Sequence, residues 1–171
     1  PKLDSGKIIY QKKIKIFNSD NYETIQKKIT SFLSNNISKI IKKYLQKKII
    51  LKKNNSNQET WNCSRNPEDS MLNFFEKREK ILNLIKASYG KKFRAFCFLK
   101  EKKIIILEAN IKSKKKFEGI IPGRIVALNK DGSVDCLCIN GILTIDKILY
   151  KNKVMKPKNL IKSTRATLLN D

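Results

Sequence analysis

The sequence predicts an α+β chain: the closing part of an α/β unit, followed by a small OB-like β domain of five strands. Three observations predict it. Apolar residues recur at helical spacing from Tyr22 to Leu45; from Phe93 onward the period changes to two; and a polar, turn-rich stretch, Asn54-Asn55-Ser56-Asn57-Gln58-Glu59, separates the two patterns. The boundaries that follow are 1–53 for the α/β part, 54–90 for a linker and connecting helix, and 91–171 for the β domain.

Residues Lys7 to Phe17 alternate apolar and polar, with Ile8, Tyr10, Ile14 and Ile16 on one side, which predicts a strand after the Asp4-Ser5-Gly6 turn. Asp20 and Glu23 form a capping-box pattern for the helix that follows, where Ile25, Ile29, Phe32, Leu33, Ile37, Ile40 and Ile41 build a broad apolar face. One strand and one helix cannot bury such a face alone; a βα unit needs a sheet of several strands to lie on. The front of the chain is therefore expected to belong to a larger nucleus. A second helix is predicted over about Glu76 to Ala87, with Ile81, Leu82, Leu84 and Ile85 inward. Strands are predicted at Phe93 to Leu99, Lys103 to Ala109, Arg124 to Asn129, Ser133 to Cys138 and Ile142 to Tyr150. Lys130-Asp131-Gly132 and Asn140-Gly141 supply turns between the last three, and Asn-Gly is the strongest short hairpin signal.

Composition sets outer limits. The chain has 171 residues, 40% of them hydrophobic, with 38 Lys+Arg against 15 Asp+Glu and a net charge of +23. That apolar content can bury a core and excludes a disordered basic tail. No apolar run approaches the roughly 18–20 residues of a membrane-spanning helix. Histidine is absent, which removes the commonest general base and the His-dependent nucleophile pairs. The four cysteines, Cys63, Cys97, Cys136 and Cys138, include no C-x2-C pair, and Cys136 and Cys138 alternate along one strand as small buried apolar residues. No metal site is expected. The opening Pro-Lys-Leu-Asp-Ser-Gly has neither an initiating Met nor an apolar signal core, which reads as a cytoplasmic piece of something longer, and reduced thiols agree with that compartment.

The charge runs carry two readings. Lys39, Lys42, Lys43, Lys47, Lys48, Lys52 and Lys53 form a basic stretch with no acid between Glu23 and Glu59, and Lys114, Lys115 and Lys116 form a second. Such surfaces attract a phosphate backbone in a salt-dependent way. They equally suit solvated helix faces in a chain biased toward Lys, Ile and Asn. Only five of the basic residues are Arg, the residue that phosphate-reading sites favour. Lys42, Lys43, Arg65, Arg124 and Arg165 are the candidates for phosphate contact; for Arg65 the competing reading is a local ion pair with Glu68 or Asp69. Trp61, Phe74, Phe96 and Phe98 have the chemistry to stack bases, although aromatic residues at strand and helix spacing usually serve a core.

Leu3-Asp4-Ser5-Gly6 ahead of a strand and long helix, Arg65-Asn66-Pro67-Glu68-Asp69-Ser70 with Asn73-Phe74, and Ile85-Lys86-Ala87 together resemble the formyltransferase family that uses 10-formyltetrahydrofolate. Pro122-Gly123-Arg124-Ile125-Val126, Lys130-Asp131-Gly132 and Asn140-Gly141-Ile142-Leu143 resemble its C-terminal β domain. The resemblance covers nearly the whole chain. It implies that the α/β part is the end of a Rossmann-like formyltransferase domain. It implies a catalytic role for Asp4, and a place for Leu3, Asp4 and Gly6 beside 10-formyltetrahydrofolate, the formyl donor. It also implies Asn and His partners in a missing N-terminal catalytic half, so that this chain does not catalyse by itself. The acceptor it implies is the methionyl amine of initiator tRNA, with tRNA as the partner; a nucleotide-linked amino sugar is the alternative. A non-catalytic RNA-binding module is a third reading. Phe74 stands where the family usually has Trp, and Tyr89-Gly90-Lys91-Lys92-Phe93-Arg94-Ala95-Phe96 replaces its usual turn; both departures fall at expected packing positions.

Overall fold

The computed structural model describes residues 6–55, 60–90 and 93–169. The chain divides into two compact units, Pro1–Ser64 and Arg65–Asp171.

The first unit is built on one helix, α1 (Tyr22–Leu45). Its N-cap is Asn21: the side-chain oxygen accepts the Thr24 N–H at 3.0 Å, and the Thr24 hydroxyl oxygen accepts the Asn21 N–H at 2.9 Å. The capping box thus lies one residue beyond the expected Asp20/Glu23 pair. Asp20 is committed elsewhere, its carboxylate accepting from the Phe17 N–H at 2.8 Å, the Thr24 hydroxyl at 3.0 Å and the Lys28 ammonium. Those donors hold its carboxyl below the usual range, the Lys28 hydrogen bond being the largest cause. Lys42 and Lys43 in the last turn complement the helix dipole. No residue of α1 is buried.

The strand expected over Lys7–Phe17 forms no ladder. Among the described residues only Ile8 pairs, in an antiparallel bridge to Lys52 with N···O distances of 2.8 and 3.2 Å. The alternation itself is real, since Tyr10, Lys12, Ile14 and Ile16 line one groove against α1 and Tyr10 stacks on Phe32 at 5.8 Å. A strand exists only beside another strand, and the described residues of this unit provide none.

The second unit is a curled antiparallel sheet of seven strands, two more than the expected five. They are β1 (Phe96–Leu99), β2 (Lys102–Asn110), β3 (Ile125–Leu128), β4 (Val134–Cys138), β5 (Gly141–Tyr150), β6 (Lys153–Met155) and β7 (Leu168–Leu169), in the order β3-β4-β5-β2-β1-β7 with β6 added beside β5. Register shifts near Ile106–Ala109 in β2 and Ile125–Ala127 in β3 bend the sheet, as bulges do. The bend brings the two ends of the strand order together. The Leu168 N–H donates to the Gly123 carbonyl at 2.8 Å, the Ile125 N–H donates to the Ala166 carbonyl at 2.9 Å, and Arg124 pairs with Thr167. Closing an edge in this way removes unpaired backbone groups that would otherwise invite association.

Helix α2 (Arg78–Ala87) packs over β2 and β5, burying Ile81 and Ile85 and half-burying Leu82 and Leu84. Ahead of it Leu72 and Phe74 are fully enclosed in the same core, and the Leu72 N–H donates to the Phe96 carbonyl at 2.8 Å. The Phe at 74 is therefore a packing residue. Cys97, Cys136 and Cys138 are buried too; burial pushes the Cys97 and Cys138 thiols up to about 12 and raises that of Cys136 well above its ordinary value, so all three stay protonated and act as small apolar fillers.

Candidate functional site

A basic groove lies beside the Asn140-Gly141 turn. The Asn140-Gly141 hairpin turn meets the first turn of α2, and the connection from β2 to β3 passes beside it. Arg78, Lys112, Lys114, Lys115, Lys116 and Asn140 line a groove of about 610 Å³, with Phe117 and Ile120 among its apolar surfaces.

Each wall has a local cause. Asn140 caps α2 from 62 residues away: its side-chain oxygen accepts the Arg78 N–H at 2.8 Å, and its amide donates to Glu79 Oε2 at 2.8 Å. Arg78 Nε donates to Glu79 Oε1 at 3.0 Å. The Asn140 hydrogen bond first, then that of Arg78, draws the Glu79 carboxyl down to about 2. Glycine is needed beside Asn140 because Gly141 has φ +139° and a Cβ there would lie 2.8 Å from an Arg78 guanidinium nitrogen. On the other wall the Asp146 carboxylate accepts from Lys112 and from the Asn110 amide, the latter at 2.7 Å, and this raises the Lys112 ammonium above its ordinary value. Two residues before Asp146 along β5, the Thr144 hydroxyl donates to Asp135 at 2.8 Å, and Asn129 donates to the same carboxylate at 3.1 Å. Lys114, Lys115 and Lys116 are exposed. The groove thus holds fixed cations at its edges and three solvated ones along its rim. Cations so arranged would attract an extended anion.

Asn140→Ala is expected to cost about 1 kcal/mol, the usual worth of a helix cap, in chemical denaturation of the whole chain. The Glu79 carboxyl gives a matching pH signature. A carboxylate with a depressed folded pKa contributes stability above its ordinary value near 4.5 and loses it as pH falls toward about 2. Glu79 is exposed, so the contribution is small, and it is read as a difference: Glu79→Gln should flatten the loss of stability between those two pH values. An unchanged acid profile in the variant would show that Asn140 and Arg78 do not hold the carboxylate in solution.

The predicted site residues are dispersed. Leu3 and Asp4 lie outside the described residues. Gly6 is exposed, with nothing within 4 Å of where its Cβ would stand. Lys42 and Lys43 flank a groove of about 620 Å³ in the first unit, with Ile9, Tyr10 and Ile40. Arg65 makes no ion pair with Glu68 or Asp69: its guanidinium donates to Ser70 Oγ at 2.9 Å, Ser88 Oγ at 3.3 Å and the Asp69 carbonyl at 3.3 Å, because the Asp69 carboxylate is taken by the Asn66 N–H at 2.6 Å. Arg65 also lies 5.9 Å from the Phe93 ring centroid. Arg124 donates to Thr167 Oγ1 at 2.9 Å across the sheet closure, and Arg165 is exposed close by in sequence. Of the four aromatic residues, Phe74 and Phe96 are buried, Phe98 is half-buried and Trp61 is 89% exposed. Sequence reasoning missed Arg78 and Lys112, and it took Asn140-Gly141 only as a hairpin; the run Lys114–Lys116 was the one visible signal.

Among the described residues no helix is long and apolar enough to cross a membrane, and no group of His, Cys, Asp or Glu could hold a metal ion.

Comparison with known proteins places this geometry. A family described as "Formyl transferase, C-terminal domain" matches residues 65–165. The methionyl-tRNA formyltransferase of Kosmotoga olearia is 28% identical over 151 residues, covering 88% of this chain and 48% of that protein; that of Thermodesulfovibrio yellowstonii is 29% identical over 119 residues, covering 70% and 38%. The chain therefore spans about half or less of the length of these curated relatives. Among solved structures, a variant of HypX from Aquifex aeolicus superposes with a TM-score of 0.66 at 13% identity, over 94% of this chain and 29% of that one. HypX in complex with tetrahydrofolic acid gives a TM-score of 0.53 at 14% identity, over 75% and 22%. The HypX likeness shows the fold. With the curled sheet, its covering helix and the matched span in agreement, the chain belongs to the formyl transferase family, and residues 65–165 are its C-terminal domain.

Proposed function

We propose that this chain is the carboxy-terminal portion of an N-formyltransferase that moves a formyl group from 10-formyltetrahydrofolate to the methionyl amine of initiator tRNA. The observation that carries the reading is the match to two methionyl-tRNA formyltransferases, one of them along 88% of the chain. The groove lined by Arg78 and Lys114–Lys116 supports it, because an RNA backbone uses many cations at once while the pyrophosphate of a nucleotide sugar needs few. The amino sugar remains the second reading, favoured by the Arg65–Ser70 piece, which resembles the sugar-modifying members.

Formyl transfer to an amine passes through a tetrahedral intermediate, so the whole site must stabilise an oxyanion and take a proton from nitrogen. Within this chain Asp4 is the residue proposed for the proton side of that task, by orienting and charge-stabilising an imidazole supplied by the other half of the protein. Leu3 and Gly6 would shape its loop. Lys42, Lys43, Arg65, Arg124 and Arg165 are proposed phosphate contacts; Arg65 and Arg124 would have to reach an acceptor while keeping the hydrogen bonds they already make. Cytoplasmic location is part of the same reading.

RNA binding gives a direct check. Replacing Lys114, Lys115 and Lys116 together by Ala should weaken binding of a tRNA and lower the slope of log affinity against log salt by up to about 3, roughly one for each phosphate that a lysine neutralises. An unchanged slope would remove the groove from the RNA interface. Formylation assays offering charged tRNA and an amino-sugar nucleotide side by side separate the two acceptors.

A further inference from the structure

The connection from β2 to β3 carries the three rim lysines, yet little holds it in place. It runs over residues 111–124 with no helix or strand of its own. At its far end the Gly123 N–H donates to the Leu137 carbonyl at 2.8 Å, and the Arg124 N–H to the Ile121 carbonyl at 3.0 Å. Among the described residues, no main-chain hydrogen bond joins 112–120 to another segment. Inside it the Lys115 N–H donates to the nearby Ser113 Oγ at 3.3 Å. Ile111 packs against the core, and every residue from Lys114 to Ile120 is exposed.

One side-chain tie spans that gap. Asp146 Oδ1 accepts from the Lys112 ammonium at 2.5 Å, while Oδ2 accepts from the Asn110 amide at 2.7 Å. The Asp146 side chain is 12% exposed. It stands on β5 next to Ile145, which pairs with Ala109 of β2 on one side and Val134 of β4 on the other. A carboxylate on a strand paired along both edges is a rigid support for whatever it holds. By its charge, Asp146 works against a groove that attracts anions. Its tie to Lys112 works for the groove: it shortens the free span carrying Lys114, Lys115 and Lys116, and so reduces the ordering entropy that binding must offset.

We propose that Asp146 is a positioning residue for the phosphate chain of the acceptor RNA: through Lys112 it fixes the start of 112–120, so that the lysine run stands ready along the groove beside Arg78 and Asn140. This rests on the reading of the groove as a tRNA surface, and it adds a residue that itself touches no RNA. The sign of the effect identifies the role. A carboxylate acting only by its charge, or by withholding Lys112 from phosphates, would tighten anion binding when removed. A carboxylate that positions the rim weakens binding when removed.

The test measures the affinity of the full 171-residue chain, as a function of salt, for a tRNA and in parallel for inorganic polyphosphate, an extended anion without bases. Asp146→Asn keeps the size of the side chain and removes its charge. It should lower both affinities about fivefold or more and reduce the slope of log affinity against log salt by about 1–2. Amides of 112–120 should exchange faster, while those of β4 and β5 keep their protection as a check on folding. Glu108→Gln is the control. It removes one negative charge and the Glu108–Lys147 ion pair between β2 and β5 without touching the connection, so its affinities should equal or exceed those of the natural chain. Lys112→Met loosens the same span from the exposed side. It should lower the slope by more than the roughly one unit that a single lysine accounts for, and adding Asp146→Asn to it should bring no further loss. Unchanged or tighter binding in Asp146→Asn, or unchanged exchange at 112–120, would overturn the positioning role; the tRNA reading would stand if replacing Lys114–Lys116 still lowered the tRNA slope. Polyphosphate binding that Asp146→Asn weakens, in a chain that ignores tRNA, would refute the tRNA reading and leave the positioning role standing.

Discussion

Gly123→Ala should destabilise the β unit by about 3–5 kcal/mol. Gly123 holds φ +81°, a conformation that costs an L-residue about 1–2 kcal/mol. The added Cβ would also stand 2.0 Å from the Leu168 carbonyl oxygen, which is backbone and cannot swing aside. Relieving that overlap means pushing β7 away, and with it the Leu168-to-Gly123 hydrogen bond and the pairing of Arg124 with Thr167. Against a total stability of about 5–15 kcal/mol the loss is severe. Urea denaturation followed by near-ultraviolet circular dichroism measures it. Gly119→Ala, where nothing lies within 4 Å of the new methyl, is the control and should stay within about 0.5 kcal/mol of the natural chain. If the two substitutions behave alike, the sheet does not depend on its closure.

The second large effect concerns turnover. Asp4→Asn, in a protein that joins this chain to an amino-terminal half, is expected to lower kcat by about 10²–10⁴, the range general acid–base assistance supplies, while thermal stability stays unchanged. Asparagine keeps the size of the aspartate but removes its charge, so the imidazole proposed to lie beside it would lose both orientation and stabilisation. Pre-steady-state formylation of the acceptor amine separates this from weakened binding: the rate of the chemical step should fall while KM for the acceptor holds. Activity within about threefold of the natural chain would make Asp4 a turn residue and nothing more.

Local patterning explains what the sequence disclosed. The five strands longer than three residues were all legible within about three residues, because short apolar, β-branched runs are bounded by turns, with Asp-Gly at 131–132 and Asn-Gly at 140–141. β6 and β7, at three and two residues, are too short for any period to register. The closure through Gly123 and Leu168 joins residues 45 apart, and no local pattern signals it. The Lys7–Phe17 alternation was real, yet a ladder depends on a neighbour that no local pattern reveals. At the site the lysine run was visible as composition. The groove was not, because Arg78 and Asn140 meet only through folding, and Arg65 took hydroxyl partners where the sequence offered nearer carboxylates.

The apolar stripe of α1 ties fold to function in the same manner. Its capping, charge and length are local matters that Asn21, Thr24 and the closing lysines settle. Its burial is not local. Exposed Leu33, Ile37, Ile41 and Tyr44 would be costly as permanent solvent-facing surface.

The most direct test joins this chain to the amino-terminal half of the Kosmotoga olearia relative and supplies 10-formyltetrahydrofolate, with methionyl-tRNA and an amino-sugar nucleotide in competition. The account predicts formyl-methionyl-tRNA as the product, and none from this chain alone. A formylated sugar, or no formylated product from the joined protein, would contradict it.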